Sequence, residues 1–509
     1  MILTKKISIL CFFVVVGFSF SFITSYYIFP LIISDFYPDN NQNPMIVNQH
    51  NYGKNIDVQD NSYNNNNLKV SLYVQGLSFP TSMAFVDNNT IMVLEKNTGY
   101  VRLVSHGKLQ KEPILKVSNI DNKTERGLLG IAILKEDADN NSKYSGNFQN
   151  IFSNIHKVDY KYAKTLPLKF NSNYSIFLYF TEKTKNTDND NNSSFNDNIY
   201  NDNQVIRNRI YKYSWDGNYS HKLDKPILLM DLPATLGPYH NGGKLKIGPD
   251  NNLYGVIGDL ATINNTLQNR PDGSQDNFSN TIPNNSSVIV RISAKNGSYL
   301  EDNPFFKYYN NNSISKSLKY YYAYGIRNSF GIAFDPITGD LWDTENGEDK
   351  YDEINIVKPG FNSGWHQVMG PLLRNNGSSE SNLIMFKGSH YSDPVFSWTI
   401  PIGITDVEFF NSSKLGQKYN NNIFVGDINN GNLYFFKVNA SRTGLELDMP
   451  IKGVEKETLG DKVADNKTEP EVVLFAKGFE GKITDIETGP DGYLYILTYF
   501  DGKIYKISP

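Results

Sequence analysis

A short loop, Gly237–Leu245, places His240 next to glycines at the entrance of an apolar stretch. Histidine titrates near neutral pH, so a histidine in such a loop can serve as a general base. A histidine that only hydrogen-bonds its own loop would give the same local sequence. His240 is therefore a candidate base, and the alternative stays open on this residue alone.

Two further loops carry polar residues. Tyr324–Gly331 sets Arg327 beside Asn328, a pair that can bind a carboxylate or quinone oxygen through charge-assisted hydrogen bonds. An ion pair between neighbouring sheets is the alternative. Asp343–Glu353 is acidic and contains glycine, and its carboxylates and carbonyls are the oxygen ligands that calcium prefers. It lacks the EF-hand spacing, and a solvated acidic turn would have the same composition.

An internal repeat predicts the scaffold that positions these loops. The block Lys246–Tyr254, with Gly-Pro-Asp at its centre, returns as Glu487–Tyr495, and looser copies occupy residues 84–93 and 333–342. Each copy reads as strand, tight turn and strand. Six alternating segments accompany the copies: 100–103, 209–213, 288–292, 353–357, 433–438 and 503–507. The repeat predicts an all-β fold, a six-bladed β-propeller with four-stranded blades over residues 68–509, closed by an outer strand at residues 68–74. A pair of β-sandwiches is the alternative.

The N-terminal region differs from the rest of the chain. Two lysines precede an apolar stretch, and residues 1–35 fit a signal anchor or transmembrane segment better than a cleaved signal peptide. Residues 36–67 are Asn-rich and predict a flexible stalk. The polar tracts 136–165 and 185–203 predict loop insertions. This organisation places the propeller outside the cytoplasmic membrane, either anchored or secreted.

Composition excludes some classes of function. The net charge is −4, which implies no surface for nucleic acid, and the hydrophobic fraction of 39% suffices for a large core. The single cysteine, Cys11, lies in the apolar N-terminal stretch. Intramolecular disulfides and cysteine-based catalytic sites are therefore excluded.

Taken in order, the motifs resemble one family. They are Glu125–Gly130, His-x-Gly-Gly-Lys-Leu at residue 240, Tyr-Gly-x-Arg-Asn at residue 324, Asp-Glu-Ile-Asn at residue 352 and Asn-x-Gly-Trp at residue 362. Over residues 68–508 the chain resembles the soluble pyrroloquinoline quinone (PQQ)-dependent glucose/sorbosone dehydrogenases, which include the aldose sugar dehydrogenases. That family has a six-bladed propeller fold.

The resemblance implies a role for each matching position. His240 falls on the catalytic base, which removes the proton of the anomeric hydroxyl as hydride passes to PQQ. Arg327 and Asn328 fall on positions that contact the cofactor, and Glu125 falls near one that touches the sugar. The family's calcium ligands imply that metal binding involves Gly347, Glu348 and Asp352.

At three positions where the family usually has cations, two residues of this chain are neutral and one keeps the positive charge. Asn429 stands where a lysine usually contacts PQQ, and Thr484 replaces one of two arginines, while Lys482 retains the other cation. PQQ carries three carboxylates, so lost cations should weaken its binding. Lys244 or Lys414 could compensate.

The resemblance implies a PQQ- and calcium-dependent oxidoreductase that oxidises an aldose sugar or related alcohol at the anomeric carbon to a lactone. Electrons would pass to an external acceptor in the envelope. Two alternatives remain: a non-catalytic extracellular propeller that binds carbohydrate or protein at the cell surface, and a metal-dependent propeller hydrolase such as a lactonase.

Overall fold

The computed structural model describes residues 56–58, 68–136, 173–185, 204–218, 222–235, 237, 239–260, 283, 285–308, 316–375, 377–447 and 459–509. Residues 55–509 form one compact unit. The predicted anchor at 1–35, most of the stalk, and both insertions apart from their first residues lie outside the described residues. Within the described part of the chain, no helix is long and apolar enough to span a membrane.

The described residues form 29 strands, which we number in chain order. The first fifteen are β1 (Asp57–Val58), β2 (Lys69–Gln75), β3 (Pro80–Asp87), β4 (Thr90–Glu95), β5 (Tyr100–Ser105), β6 (Lys108–Leu109), β7 (Leu115–Lys116), β8 (Leu128–Glu136), β9 (Asn173–Lys185), β10 (Gln204–Trp215), β11 (Asp224–Leu232), β12 (Leu245–Ile247), β13 (Leu253–Ile257), β14 (Val288–Ile292) and β15 (Tyr321–Tyr324). The others are β16 (Ser329–Phe334), β17 (Leu341–Glu345), β18 (Asp352–Val357), β19 (Phe361–Asn362), β20 (His390–Tyr391), β21 (Phe396–Trp398), β22 (Ile404–Phe410), β23 (Asn422–Asp427), β24 (Asn432–Phe436), β25 (Val463–Ala464), β26 (Leu474–Lys477), β27 (Ile483–Thr488), β28 (Leu494–Thr498) and β29 (Lys503–Ser508).

Helical structure in the described residues is limited to short 3-10 turns. They are Phe306–Tyr308, Ser317–Tyr320, Leu372–Arg374, Glu380–Asn382, Gln417–Tyr419, Leu459–Asp461 and Glu469–Val473. The prediction of an all-β protein is therefore confirmed for the described part of the chain.

The strands pair into six sheets. In chain order of their first strands, these are β3-β4-β5-β6 with β7 also on β5, β8-β9-β10-β11, β12-β13-β14-β15-β19-β20, β16-β17-β18-β21-β25, β22-β23-β24-β26-β1, and β27-β28-β29-β2. We call them sheets 1 to 6. Only sheets 2 and 6 have the predicted four strands, because short parallel strands such as β19 and β25 extend the edges of others.

The first strands of the six sheets form a closed ring. They contact one another in the cyclic order β3, β8, β12, β16, β22 and β27, and β27 returns to β3. The predicted closing strand is confirmed, since β2 pairs antiparallel with β29 in sheet 6. Part of the predicted stalk is also ordered: Asp57 and Val58 pair with β26 at the edge of sheet 5.

The second strands of five of the six sheets are buried throughout. Every residue of β4, β13, β17, β23 and β28 is buried. Both faces of these strands pack against neighbouring sheets, which explains apolar runs such as Ile91–Leu94 in place of strict alternation. The six alternating segments predicted as strands fall on the third strands of the six sheets, and 433–438 extends two residues beyond the end of β24.

The Gly-Pro-Asp repeat has a structural explanation. Asp250 accepts a hydrogen bond from the Tyr254 hydroxyl at 3.2 Å and pairs with a basic side chain of the third strand, Arg291, at 2.8 Å. Asp491 bonds the Tyr495 hydroxyl at 2.9 Å and pairs likewise with a lysine of β29. Each aspartate thus fastens its turn to the second and third strands, and the repeat specifies the scaffold and no chemistry.

Candidate functional site

The residues singled out in the sequence lie at one end of the ring. Those at the entrances of first strands are Glu125, His240, Arg327 and Lys482, and those between second and third strands are Gly347 and Asn429. Because neighbouring strands in each sheet run antiparallel, the start of the first strand and the turn between the second and third strands lie at the same end of the sheet. We call this end, defined by these six residues, the mouth.

Glu125 joins two of the candidate loops. One of its carboxylate oxygens accepts the backbone N–H of His240 at 2.6 Å and the Asn328 side-chain N–H at 3.4 Å. His240 has a φ of 58°, a left-handed conformation that is costly for a residue with a side chain. The bond from Glu125 holds this strained backbone, and so the structure brings together three of the predicted site residues.

His240 has a partner that the sequence analysis missed. Its Nδ1 lies 2.6 Å from Oδ1 of Asp259, and both side chains are largely buried. Asp259 lies just after β13, the strand that follows the clearest Gly-Pro-Asp turn. An aspartate directly after a buried apolar strand and a glycine was the available signal. With Nδ1–H donated to the carboxylate, Nε2 is the nitrogen that can accept a proton.

Asp259 is held from two further sides. Its Oδ2 accepts the indole N–H of Trp365 at 2.8 Å, and its own backbone N–H donates to the Arg327 carbonyl at 2.9 Å. Burial acts to raise the pKa of Asp259, but His240, Arg327 and the indole N–H together bring that pKa below its ordinary value. The carboxylate is therefore charged at neutral pH.

Glycines let these loops approach one another. A Cβ on Gly258 would lie 2.5 Å from the Arg327 carbonyl oxygen and 2.6 Å from that of His240. A Cβ on Gly130 would collide with the carbonyl of Gly243, where sheets 2 and 3 meet. Gly130 and Gly258 are therefore required by close contact with neighbouring backbone.

Arg327 and Asn328 each present a buried atom that has no hydrogen-bond partner. Arg327 Nη1 donates to the Asn346 carbonyl at 2.9 Å, and the guanidinium lies over the Trp365 ring, but its Nε is unpaired. Asn328 donates to Glu125, and its Oδ1 is unpaired. A donor and an acceptor left unsatisfied at the mouth indicate a ligand or water that would complete them.

The acidic loop divides into two kinds of residue. Glu348 is exposed and Gly347 is buried. Asp352 is fully buried, and its carboxylate accepts backbone N–H groups of Gly347, Ile402, Gly403 and Ile404 at 2.8 to 3.0 Å. These bonds use both oxygens, so in this structure the Asp352 carboxylate shapes the loop. Among the described residues, no three His, Cys, Asp or Glu side chains are grouped to hold a metal ion.

The remaining predicted cofactor contacts differ in their orientation. Lys482 is half-buried, and its side chain runs beside Gly431. Asn429 is exposed and packs against Gly403. The Thr484 hydroxyl bonds the carbonyl of Pro80 at 3.2 Å, so it is turned towards the adjacent strand.

The two lysines suggested as compensating cations do not serve that purpose. Lys244 is buried, with its ammonium 2.8 Å from Asp406 and in contact with Asp485. Lys414 packs beside Gly492, in the β27–β28 turn at the opposite end from the mouth. That expectation was wrong, because the partners of Lys244 come from strands distant in sequence.

Comparison with known proteins identifies the family of this chain. The model of the Glucose / Sorbosone dehydrogenase family matches residues 164–506. The chain belongs to this family. Its relatives include the aldose sugar dehydrogenase YliI of Escherichia coli K12, which is 29% identical over 288 residues, 56% of this chain and 64% of the relative. Quinoprotein glucose dehydrogenase B of Acinetobacter calcoaceticus is 27% identical over 315 residues, 60% of this chain and 53% of the relative.

A similar solved structure supports the fold. The PQQ-bound aldose sugar dehydrogenase of Streptomyces coelicolor superimposes with a TM-score of 0.52 at 19% identity, covering 87% of this chain and 98% of the other. Together with the closed ring of first strands, this likeness confirms a β-propeller.

The mouth can be tested for its fit to the family's cofactor. Arg327 offers a buried, unpaired N–H, Asn328 an unpaired carbonyl, and Lys482 a further positive charge. Against these, Glu125 adds a negative charge, and Asn429 and Thr484 are neutral. The Arg327 side of the mouth therefore fits an anionic quinone, while the side of Asn429 and Thr484 offers less charge than a tricarboxylate would use.

Proposed function

We propose that this chain is a PQQ- and calcium-dependent dehydrogenase that oxidises an aldose sugar, or a related alcohol, at the anomeric carbon to a lactone. The observation that carries the proposal is the charged Asp259 bonded to Nδ1 of His240, beside Arg327 and Asn328. Family membership adds support, since named relatives are sugar dehydrogenases.

His240 and Asp259 provide the acid–base chemistry. Asp259 fixes the ring with Nδ1–H donated and Nε2 free, so Nε2 takes the proton of the anomeric hydroxyl. As the ring becomes imidazolium, the adjacent carboxylate stabilises its positive charge. The alkoxide that forms on the sugar makes release of hydride from the same carbon easier.

The neighbouring residues bind and orient. Bound PQQ would supply the acceptor of the hydride, and Arg327, Asn328 and Lys482 would hold it. The Arg327 guanidinium would stabilise negative charge on a reduced quinone oxygen. Glu125 accepts hydrogen bonds from the His240 backbone and the Asn328 amide, and so fixes the position of the base relative to a residue that would contact the cofactor.

Calcium would bind through backbone carbonyl oxygens at Gly347 and Glu348, which are hard donors of the kind that calcium takes.

We also propose that each of the six sheets is one blade, and that residues 1–35 anchor the chain with the propeller on the extracytoplasmic side. Electrons would then leave for an external acceptor in the envelope. Location is tested by protease accessibility in intact cells.

The activity is tested by adding PQQ and calcium to residues 55–509, the compact unit, and measuring dye reduction with a panel of aldoses. We expect sugar-dependent reduction that needs both additions. His240→Gln should abolish turnover while PQQ stays bound, whereas His106→Gln, an exposed histidine in the β5–β6 turn, should not change it.

Two outcomes would contradict the proposal. Wild-type turnover in His240→Gln would show that His240 is not the base. Absence of PQQ binding at micromolar concentration would favour the non-catalytic alternative, a propeller that binds carbohydrate or protein, for which the neutral Asn429 and Thr484 are the supporting observations.

A further inference from the structure

The indole of Trp365 contacts an anion and a cation of the mouth at once. Its Nε1–H donates to Asp259 Oδ2 at 2.8 Å, and the Arg327 guanidinium lies over its ring at 5.2 Å from the centroid. A cation over an indole face is attracted by the negative charge of that face. The same side chain therefore engages both partners that set the chemistry of His240.

The backbone of Trp365 is fixed against the Arg327 loop. The N–H of Ser363 donates to the Tyr324 carbonyl at 2.9 Å, and that of Trp365 to the Gly325 carbonyl at 3.1 Å. The Ser363 hydroxyl also donates to Glu345 at 2.6 Å, and Glu345 accepts the Arg327 N–H. The indole is thus carried on a segment that runs along the Arg327 loop and cannot shift independently of it.

Asp259 and Arg327 attract one another, since each lies within range of the other's charge. In the structure, the Asp259 carboxylate accepts the N–H at the edge of the Trp365 indole, and the Arg327 guanidinium packs on the face of the same ring. We infer that Trp365 is a positioning residue: it holds Asp259 and Arg327 apart, so that Asp259 faces His240 and Arg327 faces the ligand. This inference rests on the proposed function for its catalytic consequence, but not for its geometry.

Two substitutions separate the two contacts. Trp365→Phe keeps an aromatic face for Arg327 and loses the N–H to Asp259. Trp365→Leu loses both. Without the indole N–H, Asp259 loses the bond that holds its Oδ2 away from Arg327. Rotation of the carboxylate towards Arg327 would weaken the contact that fixes the His240 tautomer. Trp398→Phe is the matched control, because the buried indole N–H of Trp398 has no hydrogen-bond partner.

The direct measurement uses the protein without cofactor. In a ¹⁵N-histidine spectrum at a pH where the ring is neutral, wild-type His240 should show Nδ1 protonated and Nε2 bare. Trp365→Phe and Trp365→Leu should add a measurable population of the other tautomer, and Trp398→Phe should not. An unchanged His240 tautomer in both Trp365 variants would overturn the inference.

Activity gives a second, separable measurement. Trp365→Phe should lower kcat on the order of tenfold, as expected for a lost hydrogen bond to a charged group, with little change in the affinity for PQQ. Trp365→Leu should weaken PQQ binding as well, because Arg327 loses its support. Equal PQQ affinity in the two variants would refute the role of the ring face.

Failures of the two proposals can be told apart. If wild-type protein oxidises no sugar but the tautomer shift is found, the proposed function fails and the positioning role stands. If Trp365→Phe does not fold, the same contact is tested with Asp259→Asn, by following the indole N–H signals of the tryptophans. The chain has four tryptophans, and only the Trp365 N–H signal should move. An unmoved signal would contradict the inference.

Discussion

Lys244 lies at the centre of a buried ionic cluster below the mouth, and its removal should destabilise the protein strongly. Its ammonium pairs with Asp406 at 2.8 Å and with Asp485, and all three side chains are at most 5% exposed. Asp406 also accepts the Ile486 N–H at 3.0 Å, and Asp485 the Met83 N–H at 2.6 Å. The cluster therefore joins sheets 1, 3, 5 and 6.

The magnitude follows from this burial. Lys244→Met leaves two buried carboxylates without their cation, and breaking a buried pair from one side costs about 3–5 kcal/mol. Lys358→Met is the matched control. Lys358 is 48% exposed and pairs with Asp340, so its loss should cost about 0–1 kcal/mol. Asp485→Asn in the Lys244→Met background should restore part of the difference, since one buried charge is removed.

The cost should also depend on pH. Burial raises the pKa of Asp485 to about 7, against the pull of Lys244. At pH 5 the wild-type Asp485 already holds a proton, and Lys244 neutralises only Asp406. The loss on Lys244→Met should therefore be smaller at pH 5 than at pH 8.

Urea unfolding of residues 55–509, followed by tryptophan fluorescence at both pH values, measures these differences. A loss at pH 8 no larger than that of Lys358→Met would refute the reasoning. A larger loss of stability at pH 5 than at pH 8 would also refute it. Protonation of Asp485 at low pH would then not reduce the repulsion between the two buried carboxylates.

Two further outcomes are expected. Asn429→Lys adds a cation at the mouth and should tighten PQQ binding several-fold, measured by titration; an unchanged affinity would place Asn429 away from the cofactor. Burial raises the pKa of both Glu487 and Asp485 to about 7. The folded state then holds protons that the unfolded chain releases, so the free energy of unfolding should fall as pH rises from about 5 to 7, by about 1.4 kcal/mol per pH unit for each proton. Glu487→Gln should make the free energy of unfolding less dependent on pH in this range. An unchanged pH dependence in this variant would contradict the prediction.

The sequence predicts the fold well because the fold is repeated locally. Each Gly-Pro-Asp turn fastens itself to strands within its own sheet, as Asp250 does with Tyr254, so short-range patterns suffice. What the sequence could not show was the number of strands per sheet. The additional strands β19, β20 and β25 have two residues each, too few for any periodicity.

The candidate site was predicted only in part. His240, Glu125 and Asn328 were expected together and do come together, because each lies in the loop that leads into a first strand. Asp259 and Trp365 were not assigned roles. Asp259 meets His240 where β13 ends beside the start of β12, and Trp365 meets Asp259 from the segment after β19, so both contacts follow from strand pairing within sheet 3. The orientation of Thr484 likewise depends on strand register, which alternation alone does not give.

The distribution of charge between the ionic cluster and the mouth limits how a polyanion can bind. Lys244 follows His240 by four residues, yet it is committed to Asp406 and Asp485, which lie two and three first strands away in the ring. Of the cations that the sequence placed near the site, Arg327 and Lys482 remain available to a ligand, and Glu125 and Asp259 oppose an anion beside them. A tricarboxylate would therefore bind here mainly through hydrogen bonds on the Arg327 side, with calcium offsetting the negative charge. Binding without calcium should be much weaker than binding with it, because Arg327 and Lys482 alone do not balance three carboxylates placed beside Glu125 and Asp259.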